Sequence, residues 1–302
     1  MTCPAIRLFD SHAHFFTNDR SRYPVDVTGA KEGEAAILKR TAHDPATDAF
    51  LLPQWDGCGI EAGAAVQFHS LYKHDNSYCI DVADRHPDRV TAILMLDAAS
   101  PATPQKLRDL AERHNVRGLR LFGRPDEHGE YPWLDSAAAM RTWEVAAELD
   151  LSMIVMAIPG VPTRAALQRA ARLAERFAPL PVALDHFGWP DSSGGADGAF
   201  GPEHRELADI ANLHFKFTQI NLKLFARDGI DAARFLRLAV DHYGPDRIAW
   251  GSDFGNSQYS LADMVGQIVA ATALLNDAER DRLLFANGMR LFGPRAAAGQ
   301  KG

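Results

Sequence analysis

A single-domain α/β protein of the (β/α)8 TIM-barrel class is predicted, and three observations predict it. The chain is 302 residues long, close to what one α/β barrel needs. Short apolar runs alternate with longer segments of helical spacing, the mark of repeated βα units on a parallel sheet. There are eight such runs, which favours a closed barrel over an open doubly wound sheet. The span 1–302 is accordingly read as one domain.

In order, the expected strands are Ile6 to Asp10, Ala64 to Ser70, Val90 to Asp97, Val116 to Phe122, Ser152 to Ile158, Val182 to Phe187, Phe215 to Leu222, and Arg247 to Asp253. Expected helices include Pro104 to His114, Ser136 to Leu149, Arg164 to Phe177 and Ala232 to His242, each apolar at three-to-four-residue spacing. Asp75-Asn76 precedes a helical stretch, Ser77 to His86, and has the composition of its cap. Two long irregular stretches break the rhythm, Thr17 to about Ala46 and Pro190 to His204. Both leave the carboxyl ends of strands, where barrels build their sites, so both are candidate lid or pocket loops; the bland alternative is a tolerated surface insertion.

Composition narrows the function. Apolar residues at 46% and charged residues at 24% give a globular balance that argues against disorder, collagen-like repeats or a coiled coil. A net charge of −7 without any dense Lys/Arg run lacks the footprint of a nucleic-acid or anionic-membrane binder, leaving a small-molecule substrate as the expected partner. Cys3, Cys58 and Cys79 are scattered without Cys-x-x-Cys spacing, which suggests neither disulfides nor a thiolate zinc site and fits a reducing cytoplasm. No signal-peptide stretch and no run of about 18 apolar residues occurs, so a cytoplasmic, non-membrane protein is expected. Many barrels form homo-oligomers, but no stretch of the sequence marks such an interface.

The sharpest local signal is Phe9-Asp10-Ser11-His12-Ala13-His14. Histidines two apart at a strand end share a face and can hold one ion or one substrate; alternatively they are two polar residues where a strand runs into solvent. The sixth run closes as Leu184-Asp185-His186-Phe187-Gly188 and the eighth as Trp250-Gly251-Ser252-Asp253. In a barrel, strands one and eight are neighbours, which puts Asp253 beside the histidine pair with His186 facing them across the mouth.

This combination resembles the amidohydrolase superfamily, and within it the amidohydrolase-related branch of 2-pyrone-4,6-dicarboxylate, sulfomuconolactone and sugar-lactone hydrolases. The likeness also includes Asp75-Asn76-Ser77-Tyr78, His86-Pro87-Asp88-Arg89, Val116-Arg117-Gly118-Leu119-Arg120 and Asn287-Gly288-Met289-Arg290-Leu291-Phe292. The resemblance implies that His12 and His14 are metal ligands or their metal-free descendants. It implies that His186 polarises a substrate carbonyl or joins the metal shell, and that Asp253 takes a proton from water and is itself a ligand of the same ion. The chain departs from the superfamily pattern in two places. The fourth run carries arginines where binuclear relatives have a bridging carboxylated lysine or a glutamate, and the fifth, Met153 to Ile158, has no histidine. A binuclear centre is not expected; either one zinc or manganese ion or a metal-free hydrolase remains.

Alternation along the fourth run turns Gly118, Arg120 and Phe122 to one face, so Arg120 is expected inside the barrel, where a guanidinium binds a carboxylate bidentately. Arg124 just beyond, and Lys216 in the seventh run, would add to a preference for an acidic substrate; each is otherwise a surface cation or an ion-pair partner. Gln67 and His69 share a face of the second run and either line the pocket or are satisfied polar residues. Tyr131 and Trp133 either stack on a flat ring or belong to the core. The leading expectation is hydrolysis of a carboxylated or sugar-type lactone. A metal-dependent decarboxylase or hydratase and a non-catalytic binding barrel are the alternatives.

Overall fold

A computed structural model describes residues 6–158, 163–191, 194–198 and 200–295. Its eight strands are β1 (Leu8–Ala13), β2 (Ile60–Val66), β3 (Val90–Met95), β4 (Val116–Gly123), β5 (Ser152–Ala157), β6 (Val182–Leu184), β7 (Leu213–Thr218) and β8 (Ile248–Gly251). They pair in parallel in sequence order, with helices between them. The chain past β8 closes on β1 where Asp253 N–H donates to His12 O (2.7 Å) and His14 N–H to Phe254 O (2.9 Å). This is the predicted (β/α)8 barrel.

Local chemistry explains why the elements form. The helix Ala232–Tyr243 starts at Asp231, whose carboxylate accepts from Ala233 N (2.9 Å) and Arg234 N (3.2 Å), a cap worth about 1 kcal/mol. Its buried residues Phe235, Leu236, Ala239, Val240 and Tyr243 recur at helical spacing and form the stripe that faces the barrel. Inside the barrel, Gly118 leaves room for two neighbours, since a Cβ there would lie 2.9 Å from Ile154 Cδ1 and 3.0 Å from Ile93 Cδ1. Those isoleucines, with Phe9, Val66 and Ala183, pack against Phe285, Leu291 and Phe292 from the end of the chain. Thr91 Oγ1 and Ser152 Oγ donate to Phe292 O (2.6 Å) and Leu291 O (2.7 Å), so the closing helix Asn287–Phe292 plugs the amino end of the barrel. The carboxyl end is left for chemistry.

Several strand boundaries differ from the sequence reading. β1 continues past Asp10 to Ala13, with Asp10 paired to Gly63 and Ala13 to Ala65 across a register shift at Ser11 and His12, so the strand carries His12 and His14 follows it directly. β2 starts earlier, directly after Gly59 in the left-handed conformation (φ 76°), and residues beyond it turn into the short helix His69–Tyr72. β7 ends at Thr218, where the helix Gln219–Asp228 begins. Asn76 is not a side-chain cap. Its amide instead donates to Met95 O (3.0 Å) and accepts from Met95 N (2.8 Å), tying the helix Ser77–Arg85 to the end of β3. Of the 17–46 stretch, Glu34–His43 is helical and lies against the β8 loop, with Arg40 Nη1 donating to Gly255 O (2.7 Å). In the 190–204 stretch, His204 at the start of a short helical segment reaches Phe187 O (3.2 Å). Among the described residues no helix is long and apolar enough to cross a membrane.

Candidate active site

The β1–β8 seam is held by a side chain. Asp10 accepts from Ser252 N (2.8 Å), Ser252 Oγ (2.5 Å) and His12 N (3.1 Å), so its carboxylate replaces backbone pairing where the two strands cross. Gly251 is required at this crossing, because an added Cβ would stand 2.5 Å from His12 Cβ. The seam brings His12 Nε2 to 3.7 Å and His14 Nε2 to 3.5 Å from Asp253 Oδ1. His186 completes the group, its ring centroid 5.3 Å from that of His12. His12, His14, His186 and Asp253 are all at most 3% exposed.

Two of these residues sit on strained backbone. His186 (φ 51°) and Asp253 (φ 54°) are left-handed, as are Phe187 (φ 59°) and Trp189 (φ 56°). Each costs on the order of 1–3 kcal/mol and persists only when its surroundings hold it. At β6 they do: Phe187 is fully buried, stacked on Phe215 (4.5 Å) and edge-on to Phe235 (5.1 Å), pairs worth about 0.5–1.5 kcal/mol each beyond burial. Asn221 Nδ2 donates to His186 O (2.8 Å), and Trp189 Nε1 to Ala157 O (2.8 Å). The expected sixth strand to Phe187 therefore stops at Leu184, and the left-handed turn carries His186 into the barrel mouth. Asp253 is fixed at its other oxygen, where Oδ2 accepts from Asn256 Nδ2 (2.9 Å) and Ser257 Oγ (2.7 Å). Oδ1 has no hydrogen-bond partner and faces the histidines.

Hydrogen-bond partners order the imidazoles. His14 Nδ1 lies 2.9 Å from Val66 O; a carbonyl only accepts, so the ring donates there and neutral His14 presents a bare Nε2 to Asp253. Thr218 Oγ1 lies 2.7 Å from His186 Nδ1. A hydroxyl either donates or accepts: accepting leaves the other ring nitrogen as a lone pair, and donating puts the proton there. Burial pushes His12 far below its ordinary range and His186 to about 4, so both rings are neutral near pH 7.

Sequence reasoning missed two participants. Asp185 is fully buried, 2.6 Å from Arg120 Nε through Oδ2, and 3.3 Å from His12 Nδ1 and 3.7 Å from Lys216 Nζ through Oδ1. Burial opposes its ionisation, but the charges of Arg120 and Lys216, with the His12 imidazole beside it, hold it well below the usual carboxylate range. Its signal was its place beside His186 in Asp185-His186-Phe187-Gly188. Thr218 carried none, being one of four polar residues interspersed among the apolar ones of the seventh run.

Arg120 points inward, as alternation requires, but the bidentate clamp expected of it is not open. Nε is taken by Asp185 and Nη2 lies 2.9 Å from Met156 Sδ, leaving Nη1. Met156 is the inward-facing residue of β5, the strand that lacks a histidine. Gln67 is spent on the backbone: Nε2 donates to Lys73 O (3.1 Å) and to Asp75 O, and Oε1 accepts from Phe68 N (3.1 Å). These bonds use both Nε2 protons and one lone pair of Oε1. His69 lies over Phe122, ring centroids 4.6 Å apart. Arg124 is exposed beyond β4, and only its carbonyl is engaged, by Trp133 Nε1 (2.8 Å). Tyr131 is buried core, edge-on to Trp133 (6.0 Å). Lys216 is fully buried beneath the site, 4.5 Å from the Phe292 ring centroid.

The donor set fits a single cation. Ligand atoms of His12, His186 and Asp253 lie within 4.8 Å of one another. Ligands at about 2.0–2.2 Å from a tetrahedral ion stand roughly 3.3–3.6 Å apart, near the 3.7 Å between His12 Nε2 and Asp253 Oδ1; His14 Nε2, outside this group of three, lies 3.5 Å from the same oxygen. Both His12 Nε2 and Asp253 Oδ1 are buried without a hydrogen-bond partner, an arrangement that is costly unless a cation or substrate completes it. Asp185 behind His12 supplies the carboxylate that metal-binding imidazoles commonly carry on their far nitrogen.

Known proteins share this architecture. The chain is 28% identical over 300 residues to a 4-sulfomuconolactone hydrolase of Hydrogenophaga intermedia, covering 94% of this chain and 88% of the relative. It is 24% identical over 183 residues to an L-fucono-1,5-lactonase of Burkholderia ambifaria, covering 60% and 61%. A crystal structure of an amidohydrolase from Burkholderia multivorans with bound zinc superposes with a TM-score of 0.72 at 21% identity, covering 95% of this chain and 99% of that one. Residues 9–293 match the amidohydrolase family, and the chain belongs to it.

Proposed function

We propose that this protein is a lactonase, opening a cyclic ester of the carboxylated or sugar type with water activated among His12, His14, His186 and Asp253. The observation that carries the reading is Asp253: one carboxylate oxygen is tied by Asn256 and Ser257, and the other is unpartnered and directed at the histidines. Relatives that hydrolyse sulfomuconolactone and fuconolactone support the choice of bond.

In this reading Asp253 Oδ1 takes the proton of a water that attacks the lactone carbonyl carbon. The developing oxyanion accepts a hydrogen bond from His186 in the state where Thr218 donates to Nδ1 and the proton sits on the other ring nitrogen. Collapse breaks the ring carbon–oxygen bond, the departing oxygen regains the proton from Asp253, and the product is an open hydroxy acid. Arg120 Nη1 is placed to hold a polar or acidic substituent. One zinc or manganese ion would be held by His12, His14 and Asp253, joined by His186 only in the other state, where Thr218 accepts from Nδ1–H and the remaining ring nitrogen is a lone pair. When bound it would polarise the carbonyl and lower the pKa of water to about 7.

Elemental analysis of the purified protein, with hydrolysis of a lactone panel before and after chelation, tests this. About one equivalent of zinc or manganese and loss of turnover on chelation support the ion-assisted form. Hydrolysis by metal-free protein supports Asp253 and the histidines acting alone. A protein that holds zinc tightly but cleaves no lactone is not a lactonase, and its decarboxylase and hydratase activities would be assayed next.

A further inference from the structure

Lys216 is the least expected charge in the molecule. It is fully buried, and its ammonium has no hydrogen-bond partner among the described residues. Along β7 it precedes Thr218 by two residues and so faces the same way, one layer deeper. It rests over the Phe292 ring that plugs the barrel floor (4.5 Å). A buried ammonium with one ion-pair neighbour is poor stabilisation; a well-packed hydrophobic residue is often as good or better. A stability role therefore does not account for it.

Its neighbours point elsewhere. Asp185 Oδ1 is 3.7 Å from Lys216 Nζ and 3.3 Å from His12 Nδ1, while Oδ2 is 2.6 Å from Arg120 Nε. Three strands thus aim a positive charge or an imidazole N–H at one carboxylate at the end of a fourth, β6. Arg120 alone would draw the carboxylate towards β4; Lys216, opposite on β7, draws Oδ1 the other way.

We propose that Lys216 is a positioning residue: with Arg120 it sets the Asp185 carboxylate so that Oδ1, 3.3 Å from His12 Nδ1, holds the proton on that nitrogen and leaves a bare His12 Nε2 towards Asp253. Its place in turnover rests on the lactonase reading, whereas its effect on the His12 tautomer does not.

The test is Lys216→Met in the full chain, a change of similar length that suits the aromatic contact. Two readouts are taken. Long-range 15N–1H spectra of metal-free protein labelled at histidine nitrogen, assigned with a His12→Gln variant, report which His12 nitrogen carries the proton. Steady-state kinetics use whichever lactone the wild type hydrolyses. The expected result is loss of the pure Nδ1–H signature and a fall in kcat of about 10–100-fold, with KM changed less than about threefold. A folded Lys216→Met protein with the wild-type tautomer and kcat overturns the proposal. Should Lys216→Met not fold, Lys216→Gln, which keeps a polar group beside Asp185 without the charge, is read by the same two measurements, and a wild-type tautomer with wild-type kcat overturns the proposal. If no lactone is hydrolysed at all, the function fails while the spectra still decide the role of Lys216.

Discussion

Replacing Gly251 with alanine would put a methyl group where the first and last strands of the barrel cross. Its Cβ would lie 2.5 Å from His12 Cβ and 2.9 Å from His12 N, whereas ordinary contact begins near 3.4 Å, so His12 or β8 must move by about 0.9 Å. The seam resists that movement, because Asp10 grips Ser252 at 2.8 and 2.5 Å and Asp253 N–H binds His12 O at 2.7 Å. Overpacking of this kind costs about 1–3 kcal/mol, and the smaller freedom of an unfolded alanine returns ~0.4–1 kcal/mol. A net loss near 1–2 kcal/mol lowers Tm by about 2–3 °C for a chain of this size. Misplacing a reacting group by about 1 Å costs on the order of 100-fold in rate. Thermal unfolding and steady-state turnover, measured on the same preparation, separate the two effects. If Gly251→Ala keeps the wild-type Tm and a kcat within about threefold, the seam does not set the position of His12 and the reasoning fails.

Three further changes follow from the site. Asp253→Asn should fold normally, because asparagine accepts φ 54° readily, and should lower kcat by about 10²–10⁴-fold while ligand binding persists; retained turnover would remove Asp253 as the base. Thr218→Val keeps the shape but strips the partner from His186 Nδ1, with an expected loss of about 1–3 kcal/mol in denaturant titrations and a lower kcat. An unchanged unfolding midpoint would show that the bond holds nothing in place. Gln67→Leu should cost about 1–3 kcal/mol of stability by freeing the Lys73 and Asp75 carbonyls, with KM within about twofold. A tenfold or larger rise in KM without loss of stability would return Gln67 to the substrate pocket.

Which elements were legible depended on where the apolar pattern coincides with the backbone. β3, β5 and the helices Thr103–Arg113 and Ala137–Glu148 lie within a residue or two of their expected bounds, since their buried stripes are continuous. β2 was displaced because the apolar Phe68 and Leu71 extend past the strand into a helix packed on the same core. β6 was overextended because Phe187 reads as strand although its backbone is left-handed, and only a cluster of aromatic rings from β7 and the Ala232–Tyr243 helix makes that conformation affordable.

By itself the sequence determined the barrel, through eight apolar runs at βα spacing, and the ends of the strands where polar residues could meet. It also determined which residues would converge, because His12, His14, His186 and Asp253 stand at the carboxyl ends of strands one, six and eight, and closure of the sheet is a topological consequence of their number. Tertiary structure alone decided what the cations do. Arg120, Lys216 and Asp185 lie on three different strands, and whether a guanidinium or an ammonium faces a substrate or a buried carboxylate depends on distances across the barrel that no local pattern encodes. The Coulomb energy of a buried pair falls with separation and rises steeply with burial, so a few ångströms made Lys216 and the Nε edge of Arg120 counterions of Asp185 and left Nη1 of Arg120 free of that carboxylate.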